Sequence, residues 1–491
     1  MNYLGIDIGT GGTRAVVINR DGEVLACETA EHPAFASPRI GWAEQSPDDW
    51  WDACVIAIRH ILGSVAAETI GAVSFSGQMH GSVMLNGSDR PVRPALLWCD
   101  QRTAPQCDEI TAKAGSEELI RLVSNPAVTG FTLPKILWVR ENEPDIWNTV
   151  RSLLLPKDYV RFRLTGDKAS DVADSSGTLL FNVGDRGWSE EMLDTFEIER
   201  SFLPAIYEST QVTGRVSALG SQATGLKQGT PVVAGAGDNA AGAIGMGVTI
   251  PGTVSATIGT SGVLFGVTER PSVDLRGRIH TLCHAIPGRW HNTGVTLSAG
   301  LSLKWFRDNF AAGATYEGLD TLGDASPAGA NGAIWLPYLM GERTPHLDPD
   351  ARAAFVGLTA SHTRGDLVRA VMEGVAFSLR DSLEIFKELG TSVERIRLGG
   401  GGAKSKLWRR IQADVFGHPV EVLAADEGAA FGAAILAGVG IGEWNSVDQA
   451  CERTVRAVES IDPDPAGAEA LERNYEVYRR LYPALRYVMA D

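Results

Sequence analysis

The sequence lacks several features that would assign a function at once. Only six cysteines occur in 491 residues and no two show C-x-x-C spacing, so neither a zinc ribbon nor a dithiol redox motif is predicted. Positive charge is not in excess: 44 Lys and Arg stand against 60 Asp and Glu, a net charge of −16. Binding to nucleic acid or an anionic membrane through overall charge is therefore not expected. A phosphate ligand would have to be held locally, by backbone N–H groups or a metal ion.

A long apolar helix is also missing from the pattern. The longest stretch without a charged residue runs over 239–268, but Pro251 and several glycines interrupt it, which argues against a membrane span. The first residues show neither the basic nor the apolar region of a signal peptide. Scattered cysteines in a chain of this size are typical of reduced cytosolic thiols. These features predict a cytoplasmic protein without a membrane partner.

Glycine is abundant, with 55 residues against an average usage of about 7%, and two glycine loops repeat one pattern. Strands are predicted over 3–8 and 14–18, and again over 254–258 and 263–267. The residues Ile8-Gly9-Thr10-x-Gly12 match Ile258-Gly259-Thr260-x-Gly262. We interpret this as two copies of one domain type whose loops face a shared cleft. Two unrelated hairpins are the alternative.

Strands alternate with helices elsewhere, which predicts an α/β architecture. A helix should begin near Ser46, with Trp51, Val55, Ile58 and Leu62 on one apolar face. Later in the chain the pattern predicts helices over 364–389, 404–416 and 428–437, strands over 70–75, 395–398 and 419–423, and a C-terminal helix. The strand–glycine–helix run around 399–402 is typical of an anion or nucleotide cradle. It matches neither a Walker A loop nor a dinucleotide fingerprint.

Asp238 is the strongest catalytic candidate. It follows a strand predicted over 231–234, within the sequence Gly-Ala-Gly-Asp-Asn-Ala-Ala-Gly. A carboxylate in such a turn can accept the proton of a substrate hydroxyl as that hydroxyl attacks phosphorus. The alternative is an aspartate that caps a helix.

Asp7 ends the first strand, directly before a glycine turn. It could orient Mg²⁺, which prefers oxygen ligands, or simply bond the turn amides. Arg14 on the next strand could contact phosphate with its fork of donors, or be a solvated strand residue. Gln78-Met79-His80, framed by glycines, suits a small polyhydroxylated ligand, with an ordinary loop histidine as the alternative. A metal site at His280, Cys283, His284 and His291 is disfavoured, because no carboxylate completes it.

Taken together, the motifs resemble those of the FGGY carbohydrate kinases over residues 4–438. Each motif is weak alone, but their order over this length is specific. They are Gly5-Ile6-Asp7-Ile8-Gly9-Thr10, Gly77-Gln78-Met79-His80-Gly81, Leu155-Pro156-Lys157-Asp158-Tyr159, Gly237-Asp238-Asn239-Ala240-Ala241-Gly242, Ile258-Gly259-Thr260-Ser261-Gly262, Leu336-Pro337-Tyr338, Gly341-Glu342-Arg343-Thr344-Pro345-His346 and Gly400-Gly401-Gly402-Ala403-Lys404-Ser405.

The resemblance implies an α/β fold of two actin-like (ribonuclease-H-like) domains around a central cleft. Residues 1–245 would hold the sugar site and the first phosphate loop, and residues 246–491 the nucleotide site. It implies Mg²⁺-dependent transfer of the γ-phosphoryl group of ATP to a ketose, with D-xylulose giving D-xylulose 5-phosphate. The implied partners are therefore a small ketose and ATP, with no nucleic acid and no membrane, and a homodimer is left open.

The resemblance also implies a role for each matching residue. Asp238 would be the base and Asp7 the Mg²⁺-associated carboxylate, while Met79, His80, Asp238 and Asn239 would line the sugar site. The implied nucleotide-binding residues are Thr10, Gly11, Gly12, Arg14, Gly259, Thr260, Ser261, Gly401, Gly402 and Ser405. One departure concerns Gly11, since family members usually carry Ser or Thr there and this loop lacks that hydroxyl donor.

Three alternatives stay open at this stage. One is a kinase of the same family for another ketopentose or a polyol. Another is a non-catalytic actin-like ATPase, although no additional substrate-binding domain is recognisable. The third, the ROK group of sugar kinases, is disfavoured because its zinc-binding cysteine cluster is absent.

Overall fold

The computed structural model describes residues 1–424 and 428–489, which fold around two mixed β-sheets. The N-terminal sheet has the spatial order Val212–Arg215, Pro231–Gly237, Ile70–Gly77, Asn2–Ile8, Gly12–Ile18 and Val24–Glu31. The C-terminal sheet has the order His280–Cys283, Trp290–Thr296, Gly262–Thr268, Gly252–Ile258, Val393–Gly400, Val420–Leu423 and Ala457–Ile461.

Both sheets are built on the same plan. Asn2–Ile8 pairs antiparallel with Gly12–Ile18 and parallel with Ile70–Gly77. Gly252–Ile258 pairs antiparallel with Gly262–Thr268 and parallel with Val393–Gly400. The domain repeat inferred from the two matching loops is therefore present in the pairing of the strands.

Short two-stranded pairs decorate the sheets. They are Glu44–Gln45 with Ala95–Leu96, Val83–Asn86 with Val150–Leu154, Ala169–Asp171 with Ala205–Tyr207, Phe181–Asn182 with Gly187–Trp188, and Ile334–Leu336 with Ala354–Val356. The α-helices are Pro47–Leu62, Ala104–Ala114, Ser116–Val123, Thr132–Asn142, Pro144–Trp147, Pro156–Thr165, Val172–Ser175, Glu190–Thr195, Ala218–Thr224, Asp238–Gly245, Gly300–Phe310, Tyr316–Asp324, Arg364–Glu388, Lys406–Phe416, Gly428–Gly440, Val447–Thr454 and Pro465–Met489. No helix among the described residues combines the length and the apolar character that a bilayer crossing requires.

Most predicted elements are present within a few residues, and the differences have physical causes. The helix Pro47–Leu62 buries Trp50, Cys54 and Ile61 along with Trp51 and Ile58, whereas Val55 and Leu62 are only half-buried. The buried face is thus displaced from the predicted stripe. The helix predicted from residue 404 begins at Lys406, because a 3₁₀ turn over Gly401–Lys404 comes first.

A helix from the C-terminal half packs on the N-terminal sheet. Gly428–Gly440 lies against the strands Asn2–Ile8 and Ile70–Gly77 and against the helix Asp238–Gly245. The approach is so close that a Cβ atom on Gly432 would lie 1.8 Å from the Ala241 carbonyl oxygen. Only glycine permits this contact, which joins the two halves of the molecule at the base of the cleft.

Candidate active site

The candidate residues of the N-terminal half meet at the carboxyl ends of parallel strands. Asp7 lies beside Ser76 in the ladder, and Gly77 lies beside Gly237. Asp7, the Gln78-Met79-His80 loop and Asp238 therefore leave neighbouring strands at one edge of the sheet. In open α/β sheets this edge is where ligands bind.

The buried carboxylate of Asp7 is held at one oxygen. The Ser76 hydroxyl donates a hydrogen bond of 2.9 Å to Asp7 Oδ1. Burial raises the pKa of Asp7, while the Ser76 bond and the positive charge of Arg14 act in the opposite direction. Arg14 is the cross-strand partner of Asp7, so both side chains lie on the same face of the hairpin.

Asp238 is the first residue of the helix Asp238–Gly245, and Gly237 is the residue that caps this helix. The interpretation of Asp238 as the N-cap is therefore wrong, as is its placement in a turn, because the strand continues to Gly237. A bulge between Val233 and Ala236 shifts the strand register just before the helix. Such bulges redirect side chains, and this one precedes the predicted base.

The surroundings of Asp238 shift the pKa of its carboxyl group toward neutral pH. Burial raises its pKa to about 7, and the nearby charge of Asp7 adds to the effect. The backbone N–H of Asn239 opposes the rise. Two carboxylates that repel one another at the same sheet edge suit a bound cation, and Mg²⁺ typically takes only one or two protein carboxylates together with waters and phosphates. Asp7 and Asp238 fit that requirement, although no cluster of three or more His, Cys, Asp or Glu side chains occurs among residues 1–424 and 428–489.

His80 presents a neutral imidazole with one free nitrogen lone pair. Burial, followed by the charge of Lys135, lowers the pKa of His80 well below its usual value. Its Nδ1 lies 2.9 Å from the Gly177 carbonyl oxygen, so Nδ1 must carry the proton and donate it, which leaves Nε2 as an acceptor. A Cβ atom on Gly177 would lie 2.3 Å from the His80 ring. Glycine at 177 thus makes room for this orientation.

Met79 and Asn239 lie next to one another in the same region. Met79 is buried, and Asn239 Nδ2 lies 3.8 Å from Met79 Sδ. Phe131 packs against the His80 ring with 4.5 Å between centroids. The four residues predicted to line a sugar site therefore come from two adjacent strand ends, as expected for one small pocket.

The predicted nucleotide residues of the C-terminal half surround a cavity of about 1090 Å³. Gly259, Thr260, Gly401, Gly402 and Ser405 all line it. Gly402 packs so tightly on the preceding hairpin that an added Cβ would lie 2.6 Å from Ile258 Cβ. This close packing brings the two glycine segments to the same wall of the cavity.

Ser405 lines this cavity, but its hydroxyl group is already engaged in hydrogen bonds within the protein. Its Oγ accepts a 3.0 Å hydrogen bond from the Trp408 backbone N–H and so caps the helix Lys406–Phe416. Its hydroxyl also bonds the Asp320 carboxylate. Sequence reasoning missed Asp320 and other residues that line this cavity, among them Lys304, Tyr316 and Arg410. Lys304, Tyr316 and Asp320 lie on helices without a recognisable motif, whereas Arg410 lies on the helix that follows the glycine-rich segment ending at Ser405.

The remaining nucleotide candidates lie outside the lining of this cavity. They are Thr10, Gly11, Gly12, Arg14 and Ser261. Thr10 joins a polar chain in which Trp98 Nε1 donates 3.1 Å to Thr10 Oγ1, which in turn lies 3.3 Å from Gln78 Oε1. The first glycine loop is thereby tied to the Gln78-Met79-His80 segment.

The histidines of the hairpin 280–291 are engaged in protein contacts. His284 Nε2 lies 3.0 Å from the Val248 carbonyl oxygen, and His291 stacks on Phe265 at 4.0 Å between ring centroids. His280 Nδ1 lies 3.1 Å from Asn125 Oδ1. Burial lowers the pKa of all three, so they are neutral groups of the core.

Comparison with known proteins decides the family. The N-terminal domain of the FGGY family of carbohydrate kinases matches residues 2–245, and its C-terminal domain matches residues 254–441. The chain belongs to this family. As an FGGY carbohydrate kinase it is an enzyme with ATP as co-substrate, which confirms the family and the reaction class expected from the motifs.

Relatives and solved structures cover the whole chain. It is 38% identical to a xylulose kinase of Bacillus subtilis, covering 98% of this chain and 97% of that protein. It is 37% identical to a xylulose kinase of Escherichia coli, covering 99% and 100%. A crystal structure described as a xyloylose kinase from Brucella ovis superposes with a TM-score of 0.93 at 36% identity, covering 99% of this chain and 100% of that one. The two-domain actin-like fold is confirmed.

Proposed function

We propose that this FGGY kinase phosphorylates D-xylulose on its C5 hydroxyl, using Mg²⁺–ATP. The observation that supports this sugar is the likeness of 37–38% identity, over 98% or more of this chain, to proteins named xylulose kinase. The pocket agrees with a small polyol-like ligand, because His80, Met79 and Asn239 offer an acceptor, an apolar surface and an amide beside Asp238.

Asp238 is the proposed general base. The C5 oxygen attacks the γ-phosphorus, the bond from that phosphorus to the β–γ bridging oxygen breaks, and the hydroxyl proton passes to the Asp238 carboxylate. In a loose phosphoryl-transfer transition state the proton leaves as the new bond forms. A carboxylate with a pKa of about 7 is matched to that task near neutral pH, since general bases work best close to the ambient pH.

The other candidate residues have supporting roles in this proposal. Asp7 would hold Mg²⁺, which when bound offsets the negative charge of the phosphates. Backbone N–H groups of the loops at Gly9–Gly12 and Gly259–Gly262 would contact the phosphates, with Arg14 beside the first loop. Gly401, Gly402 and the segment at Ser405 would lie against the adenosine in the 1090 Å³ cavity.

A coupled assay of ADP formation tests the proposal. D-xylulose, L-ribulose, xylitol, glycerol and water alone are compared at equal concentration, with Asp238→Asn as the inactive control. We expect D-xylulose to give the highest kcat/KM. Faster turnover of L-ribulose or glycerol would contradict the choice of sugar, while ADP release unaffected by any of these compounds would favour a non-catalytic ATPase.

Three further expectations remain to be tested directly. The boundary between the functional halves is proposed between residues 245 and 246, a homodimer stays open as the quaternary state, and the cytoplasm is proposed as the location. Sedimentation of the purified chain measures the second. A monomer at micromolar concentration would contradict it.

A further inference from the structure

One motif of the sequence, Gly341-Glu342-Arg343-Thr344-Pro345-His346, has no role in the proposed reaction so far. Glu342 is 2% exposed, and its carboxylate accepts hydrogen bonds from the Thr296 hydroxyl at 2.5 Å, the Leu297 N–H at 3.0 Å and the Arg343 N–H at 2.8 Å. This buried carboxylate fixes the backbone at Arg343. A side chain on such a rigid support is held in a defined place.

The guanidinium of Arg343 feels the charge of Glu342 but lacks a hydrogen-bond acceptor among the described residues. It is half-buried, and none of the described residues accepts a hydrogen bond from it or forms an ion pair with it. Its Nη2 lies 3.8 Å from the Cβ position of Gly130. Lys135 Nζ bonds the carbonyl oxygens of both Gly130, at 2.5 Å, and His80, at 2.9 Å. Arg343 therefore lies beside the loop that carries the His80 ring.

The charge of Arg343 is felt at that ring. It contributes to lowering the pKa of His80 and of the neighbouring His280. The C-terminal half thus presents a cation with five N–H donors and no acceptor near enough to His80 of the N-terminal half for its charge to lower the pKa of that ring. A partly buried Arg without a partner is costly, which points to a ligand group that completes it.

The chemistry of the proposed substrate supplies such a group. A 2-ketopentose closes to a furanose by using its C5 hydroxyl, so a sugar phosphorylated at C5 must be bound in its open-chain form. That form exposes a C2 carbonyl, which only accepts hydrogen bonds, next to a C1 hydroxyl that can donate one. An Arg donor beside a neutral His acceptor matches this pair of groups.

We propose that Arg343 donates to the C2 carbonyl of the open-chain ketose and so makes the site select a ketose over the corresponding polyol. This rests on the proposed kinase function. Xylitol, which is D-xylulose reduced at C2, places a hydroxyl where the carbonyl would lie. Its C2 hydroxyl gains less from the guanidinium fork than a carbonyl, which directs both lone pairs in one plane.

The test compares two ligands in three variants. The KM for D-xylulose and the inhibition constant of xylitol are measured in wild type, Arg343→Met, Arg343→Lys and the control Arg352→Met, whose exposed side chain lies on the following loop. Arg343→Met should raise the KM for D-xylulose by about 10- to 100-fold, the range for losing a charged donor. The xylitol constant should change by less than about threefold, Arg343→Lys should lie between wild type and Met, and the control should match wild type.

Several outcomes overturn the inference. Equal weakening of both ligands by Arg343→Met would make Arg343 a general contact, and no weakening of either would give it no role in the sugar site. If the Met variant loses its cooperative thermal transition, the Lys variant is used instead, and its effects on the KM for D-xylulose and on the inhibition constant of xylitol are compared in the same way. If the wild-type enzyme uses another ketose, only the choice of sugar is refuted. The role of Arg343 is then decided by comparing how much Arg343→Met weakens binding of that ketose and of its polyol. A wild type inactive on every ketose overturns both proposals.

Discussion

The two glycine hairpins share a sequence pattern but differ in register. In the N-terminal hairpin Ile8 pairs with Thr13 and Asp7 with Arg14. In the C-terminal hairpin Ile258 pairs with Gly262. The first turn therefore holds four residues between paired positions and the second holds three. Consistently, the Gly9 N–H donates 3.0 Å to the Gly12 carbonyl, whereas the Gly259 N–H donates 2.9 Å to that of Ser261.

We relate this difference to two roles: the N-terminal hairpin lies at the proposed site of phosphoryl transfer, and the C-terminal hairpin lies at the proposed nucleotide site. The pair at the base of the first turn is Asp7 and Arg14, whereas the corresponding pair in the second is Thr257 and Val263. Thr257 Oγ1 only approaches Met246 Sδ, at 3.9 Å. The N-terminal hairpin thus carries a charged pair where phosphoryl transfer is proposed, and the C-terminal hairpin carries an uncharged pair at the matching position. Substitutions in the two hairpins test that division.

The largest effect is expected at the strand end that carries the proposed base. Asp238→Asn keeps the size of the side chain but removes the proton acceptor, so kcat should fall by about 10²- to 10⁴-fold. The thermal midpoint should hold or rise, because the change removes one of two carboxylates that repel each other. Steady-state kinetics and a thermal melt measure both. Retention of more than about a tenth of wild-type kcat would contradict the assignment.

Replacing equivalent positions in the two hairpins compares them directly. Asp7→Ala should lower kcat by about 10²- to 10³-fold, the scale for losing one electrostatic clamp on a transferring phosphoryl group. Thr257→Val, at the matching position, should change kcat by less than about threefold. Calorimetry should show D-xylulose binding retained in both. Loss of sugar affinity in Asp7→Ala that parallels the loss of rate would indicate a structural role for Asp7.

The charge of Asp7 also predicts a pH dependence. Asp238 must be ionised to accept a proton, so kcat/KM measured at low Mg²⁺–ATP should fall about tenfold per pH unit below pH 7, the pKa to which burial and Asp7 raise Asp238. Saturating Mg²⁺–ATP should shift that fall to lower pH, because a bound cation offsets the charge of Asp7. A flat profile between pH 5.5 and 8 under both conditions would exclude Asp238 as the titrating base.

Local pattern was sufficient to predict the elements that carry the site. The strands that lead to Gly9, Gly77 and Gly259 are short segments rich in apolar and β-branched residues, and the structure places each within two residues of its predicted bounds. Asp7 and Asp238 are candidates because each carboxylate follows a strand beside a glycine-rich segment, where turn bonding and helix capping are the ordinary alternatives.

Features set by distant contacts were not predictable in this way. The helix Gly428–Gly440 reads as an ordinary helix of the C-terminal half, and nothing in its own sequence shows that it packs on the N-terminal sheet. Asp320 lines the large cavity and Trp98 bonds Thr10 of the first glycine loop, but neither residue lies in a recognisable motif. The one-residue difference in register is also invisible in matching sequences, since pairing depends on the whole sheet.

The smallest effect concerns the third position of each loop, where Gly11 stands in the first and Ser261 in the second. Gly11 is exposed, and a Cβ added there would meet no atom within 4 Å, so Gly11→Ser should fold without strain. The added hydroxyl should lower the KM for ATP by about 2- to 10-fold, the worth of one neutral hydrogen bond. Ser261→Gly should raise the KM for ATP by a similar factor.

If the loops contact the same phosphate chain independently, the double variant should return close to wild type. Gly187→Ser, another glycine with room for a side chain, controls for the loss of backbone freedom. Initial rates at varied ATP and saturating D-xylulose measure all four variants. A higher KM for ATP in Gly11→Ser would show that the four-residue turn binds phosphate through backbone N–H groups that a side chain obstructs. Glycine at position 11 would then be one of the differences that matter between the two hairpins.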